Sequence, residues 1–111
     1  MEEFEEKQVV FSKLYALDIE EIFQYGKDTF GEVQAKKYED FIDFITKELG
    51  STYPMYPECK WIHAKRNKYR NIILESHLII YRVKPVRIEV LRVLHSHSSI
   101  TKIRTSRSIK F

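Results

Sequence analysis

Cysteine, glycine and proline are all scarce in this chain, and each scarcity closes off a class of protein. Cys59 is the only cysteine among 111 residues, so no disulfide can form within the chain and no cysteine-based zinc site is spaced out. Cys59 reads as an incidental or buried thiol. Three glycines and three prolines leave no room for a long flexible linker or a low-complexity segment. No stretch approaches the roughly 18 uninterrupted apolar residues that a membrane-spanning helix needs. The segment from Met1 to Lys7 is acidic, the reverse of the basic start of a secretory signal. A reducing cytoplasm is therefore the expected compartment.

Two further absences are regional. Residues 1–50 contain no arginine, and no acidic residue follows Glu89. The first half carries six Lys against thirteen Asp and Glu, a charge of 6 − 13 = −7. Residues 51–111 carry thirteen basic groups against Glu58, Glu75 and Glu89, giving 13 − 3 = +10. The modest net charge of +3 thus conceals a dipolar chain whose second half suits a polyanion or an acidic partner.

What is present reads as one domain over residues 1–111, with a basic tail at about 98–111. Gln8 to Phe11 is a short apolar run, and Ser12 after it is a good N-cap for a helix over Lys13 to Phe30. Leu14, Leu17, Ile22 and Tyr25 supply that helix with an apolar face, while Asp18, Glu20 and Glu21 form its wet face. Gly31 marks a tight turn into a second helix, Glu32 to Leu49, where Ala35, Tyr38, Ile42, Ile45 and Leu49 form one stripe widened by Phe41 and Phe44. Gly50 is expected to stop it. Residues 51–68 read as a loop or irregular strand. Three strands follow: Tyr69 to Leu74, His77 to Val83 (apolar enough to be buried on both faces) and Val86 to His95. The class is α+β in the order β-α-α-β-β-β, with a small, mainly antiparallel sheet packed on a helical hairpin.

From about Val9 to Arg107 these segments resemble the RelE/ParE toxin superfamily of type II toxin–antitoxin systems, on its ParE-like branch. VVFSK at Val9 to Lys13 is similar to the first strand and helix start. DIEEIFQY at Asp18 to Tyr25 and FGEVQAKKY at Phe30 to Tyr38 are similar to the helical hairpin. KYRNIILESHLIIYRV at Lys68 to Val83 and IEVLRVLHSHSS at Ile88 to Ser99 resemble the middle and last strands. The resemblance implies a toxin neutralised by a cognate antitoxin whose extended C-terminal segment wraps around it.

Two activities are implied by that fold. RelE-like members cut mRNA on the ribosome, using Lys, Arg and Tyr as base, acid and phosphate-binding groups. Here Leu78 stands where those sequences carry an Arg, Ser96 where a basic residue is expected, and no Tyr follows Tyr81. ParE-like members bind DNA gyrase and need no catalytic side chains. A gyrase-binding toxin without a cofactor is the leading expectation, and a ribosome-dependent mRNA endonuclease is the alternative.

The candidate site residues form four groups. His95, His97 and Arg92 are a base-plus-cation set for the nuclease alternative; the two histidines would share a strand face. Spacing suggests no third ligand, so no metal is expected. Lys60, Lys65, Arg66, Lys68 and Arg70, with Trp61 and Tyr69 interleaved, are suited to a single-stranded nucleic acid, to an acidic antitoxin segment, or simply to solvent. The tail offers Lys102, Arg104 and Arg107 for tracking a polyanion. Arg82, on the most apolar strand, pairs with a carboxylate or emerges onto a binding face.

Overall fold

The structure, a computed structural model, describes residues 6–66 and 68–111; the acidic start of the chain, at residues 1–5, lies outside them. The elements are β1 (Gln8–Phe11), α1 (Lys13–Phe30), α2 (Glu32–Lys47), α3 (Leu49–Thr52), β2 (Tyr69–Ile73), β3 (His77–Val83), β4 (Arg87–His95) and α4 (Ile100–Thr105). The strands form one four-stranded sheet in the order β1-β4-β3-β2. β2, β3 and β4 are an antiparallel meander, and β1 joins β4 in parallel. The expected α+β class and its principal element order are therefore present, with two short helices added. No helix among the described residues is long and apolar enough to cross a membrane.

Local chemistry sets the boundaries. The Ser12 hydroxyl accepts from the Tyr15 N–H at 2.9 Å and donates to the Leu91 carbonyl at 2.5 Å, so one side chain caps α1 and ties it to β4. Gly31 has φ 93° with open space where a side chain would lie, so the backbone angle alone calls for glycine there. Gly50 does not end the helical path, which continues through it as α3. Its requirement is steric: a Cβ at this position would lie 2.2 Å from the Lys7 carbonyl oxygen.

Both faces of the sheet are covered. On one side the hairpin of α1 and α2, continued by α3, packs Tyr15, Ile42 and Leu49 against Ile72, Ile79, Tyr81, Ile88, Val90 and Val93. On the other, the loop before β2 and the C-terminal segment bring Cys59, Ile62 and Ile103 onto Tyr69, Leu78, Ile80, Leu91 and Leu94. That second layer explains why the middle of β3, Leu78 to Tyr81, is apolar on both faces.

Three expectations about the hairpin need correction. Leu14, Leu17 and Tyr25 face outward, with Leu17 54% exposed, and Phe41 and Phe44 do not join the core. Asp18, assigned to the wet face, is only 7% exposed. The strand β4 also changes phase: Ile80 pairs with Arg92 but Tyr81 pairs with Val90, leaving Leu91 as an extra, bulged residue. The bulge returns Val93 to the helix side, whereas unbroken alternation would place it on the same face as Leu91.

Asp18 has a structural reason for its burial. β1 pairs only with Arg87 to Val90, so β4 beyond Val90 is an uncovered edge on that side. Asp18 closes it, accepting from the Val93 N–H at 3.0 Å and from Arg92 Nε and Nη2 at 2.8 Å each. This is a bidentate fork, the strongest geometry for such a pair.

Candidate functional site

At the far end of the meander, β3 begins with His77 directly opposite His95, the last residue of β4. Their rings lie 5.8 Å apart edge to face, and His97 follows with its ring 5.2 Å from that of His95. His95 and His97 do not share a continued strand, because β4 ends at His95 and the chain turns. The turn itself brings the rings together, with the His97 N–H donating to His95 Nδ1 at 3.1 Å. From α2, the Tyr38 hydroxyl bonds His77 Nδ1 at 2.7 Å.

His77 and Tyr38 thus extend the expected histidine pair to a row of four rings. The sequence signal for His77 was the two-residue Glu75-Ser76 turn, which sets His77 against Leu74 and leads β3 into register with β2. Arg92 is not a free cation beside these rings, since its guanidinium is forked onto Asp18. The described residues contain no group of three or more His, Cys, Asp or Glu arranged to hold a metal ion.

Burial of the His77 ring, reinforced by the neighbouring His95, lowers its pKa from the ordinary imidazole value. Tyr38, Glu75 and His95 are the titratable groups around it. The unfolded chain takes up a proton at this position near pH 6.5, while the folded chain resists it. Stability is therefore expected to hold above about pH 6.5 and to fall on acidification from there through the lowered folded pKa. Urea midpoints measured between about pH 7.5 and 5 check this, and a His77→Gln variant should show a shallower decline. An unchanged slope in that variant would assign the pH dependence to other groups.

On the opposite sheet face the two basic segments meet. Arg104 Nε donates to the Trp61 carbonyl at 3.0 Å, joining the α4 segment to the loop before β2. The loop is itself anchored: the Cys59 N–H bonds the Tyr69 carbonyl at 2.9 Å and the Asn71 N–H bonds that of Pro57 at 3.0 Å. Ile103 and Ile109 pack with Cys59 and Ile62, so the tail is a built layer of the fold. Lys60, Lys65 and Arg66 on the loop, and Lys102, Arg104 and Arg107 on the tail, are all exposed.

The aromatic side chains of this region are occupied. Trp61 packs on the core beneath it, and Lys60 Nζ lies 4.8 Å from its ring centroid. Tyr69 is buried, with Lys68 and Arg82 each 5.7 Å from its ring centroid. Tyr69 is thus sealed in the fold, while Trp61 is partly buried with Lys60 against its ring.

Two of the candidate cations serve the fold. Arg82 is not on a binding face: it is buried against Glu89, its cross-strand neighbour, with Nε 2.6 Å from the carboxylate. Its Nη atoms donate to the carbonyls of Arg107 at 3.3 Å and Ile109 at 2.8 Å, so it also fastens the tail. Arg70 donates from Nη1 to the Tyr56 carbonyl and braces the loop.

The family described as "ParE toxin of type II toxin-antitoxin system, parDE" matches residues 9–99. A solved structure from P. aeruginosa, described as its chromosomal ParDE TA system, has the same fold with a TM-score of 0.67. It is 20% identical, and the match covers 81% of this chain and 96% of that one. No curated protein matches. The match over residues 9–99 spans the four strands from Val9 onward, the helical hairpin and the histidine end: the chain belongs to the ParE toxin family of type II toxin–antitoxin systems.

Proposed function

We propose that this chain is the toxin of a type II pair, that it acts by binding DNA gyrase, and that a cognate antitoxin neutralises it. The observation that carries the choice of target is the state of Arg92. A nuclease built on His95 and His97 needs a cation aimed at the phosphate, and the guanidinium in the right segment is engaged bidentately by Asp18. Arg82 is likewise engaged by Glu89. A toxin that works by binding requires no such free cation.

The antitoxin reading is supported by the hairpin. Leu14, Leu17, Tyr25, Phe30, Val33 and Phe44 are large apolar residues left exposed on α1 and α2. Exposed apolar surface of this kind is what a partner that folds on binding covers.

The test adds the purified chain in parallel to a gyrase supercoiling reaction and to ribosomes translating a defined mRNA. Loss of supercoiling with intact mRNA is the expected result. Codon-periodic cuts with undisturbed supercoiling would overturn it in favour of the ribosome-dependent endonuclease, and His95→Ala should then abolish the cuts.

A further inference from the structure

We propose that the face formed by the loop before β2 and the C-terminal segment is a sequence-independent binding site for the phosphate backbone of double-stranded DNA. Six exposed cations, Lys60, Lys65, Arg66, Lys102, Arg104 and Arg107, lie on two segments that the Arg104–Trp61 bond and the shared apolar layer hold together. Residues 98–111 contain no acidic side chain, and Glu58 is the only one in residues 51–74. The cations project from an anchored frame, so little backbone order has to be created on binding.

Three features select this partner. Tyr69 is buried and Trp61 is partly buried with Lys60 against its ring, which leaves little aromatic surface for stacking the bases of a single strand and makes charge the main feature of the face. Contacts to phosphate position a protein on a duplex without reading its sequence. The large apolar residues that a protein partner would use as anchors are concentrated on the hairpin, on the other side of the sheet. That hairpin layer comes from the acidic half of the chain, so it repels a polyanion and turns the basic face toward it. Antitoxin and DNA would therefore occupy opposite faces.

The experiment is fluorescence anisotropy of the full chain with a labelled mixed-sequence duplex of about 30 base pairs, long enough to span the face. The same single strand and a poly-glutamate chain serve as competitors. A face that meets about four or five phosphates should lose roughly 150- to 500-fold in duplex affinity between about 50 and 200 mM salt. Lys65→Glu/Arg66→Glu, both on the exposed loop, should weaken binding at least about tenfold at low salt and flatten the salt slope by about two. Lys102→Glu/Arg107→Glu should act in the same direction through the tail. Lys37→Glu on the exposed side of the hairpin should change nothing.

No binding at low salt, or binding that both double variants leave intact while circular dichroism shows them folded, overturns the proposal. Tighter competition by the single strand reassigns the face to unpaired nucleic acid, and tighter competition by poly-glutamate reassigns it to an acidic protein segment; either result also overturns it. The assay contains no gyrase, so its failure and the failure of the gyrase reading are separate outcomes.

Discussion

Glu89→Ala should destabilise the fold by about 3–5 kcal/mol, the range seen when one partner of a buried ion pair is removed. Glu89 is 2% exposed and is the only carboxylate bonded to both Arg82 and Arg87 among the described residues. The substitution leaves Arg82 buried with its charge unmatched, and Arg82 is also the residue that holds the last turn of the tail. Small folds have only about 5–15 kcal/mol of net stability, so the variant should be close to unfolding, with Tm lowered by more than about 10 °C.

The companion variant Arg82→Met/Glu89→Leu removes both charges and should recover most of the loss, because apolar replacement of a whole buried pair is nearly neutral. Its tail should nevertheless exchange amide hydrogens faster, since the bonds to the Arg107 and Ile109 carbonyls are gone. A Glu89→Ala loss below about 1 kcal/mol would mean that water already screens the pair.

The same site has a pH signature. Burial alone would raise the Glu89 pKa, but the bonds from Arg82 and Arg87 outweigh it and hold the carboxylate below its ordinary value. The stabilisation is thus fully present above the unfolded value, near pH 4.5, and is lost as pH falls through the lowered folded pKa.

Asp18→Ala is the second large effect, at about 3 kcal/mol. It removes three bonds at once, leaving the partly buried Arg92 guanidinium and the Val93 N–H without their acceptor. It also exposes the edge of β4 beyond the reach of β1, so size-exclusion chromatography should reveal self-association on warming. Asp18→Asn keeps an acceptor for Val93 and should retain part of the stability. A double-mutant cycle with Arg92→Ala measures the fork directly, and a coupling near zero would show that the Val93 bond carries the effect.

These two carboxylates mark where reading from sequence stopped. Asp18 falls among Glu20 and Glu21 and looks like one more solvated charge, because its burial depends on where β1 runs out along β4. Glu89 alternates with Ile88 and Val90 as a surface residue should, and only a second layer on that sheet face makes it buried. His77 was passed over because its partners, Tyr38 and His95, are 39 and 18 residues away in the chain. The bulge at Leu91 carries no glycine or proline to announce it, so the phase change that moves Val93 was equally invisible.

The sequence by itself determined the two long helices, the strands, the Ser12 cap, the Gly31 turn and the family. All of these rest on interactions between near neighbours or on an ordered string of motifs. It also determined that charge is split between the halves of the chain. Only the tertiary structure decided what that charge does. Packing on both faces of the sheet commits Arg82 to Glu89 across a hairpin and Arg92 to Asp18, 74 residues away, and joins the basic loop to the basic tail. Which charges are sealed and which are free depends on what lies across the sheet, and that is a property of layers, not of spacing along the chain.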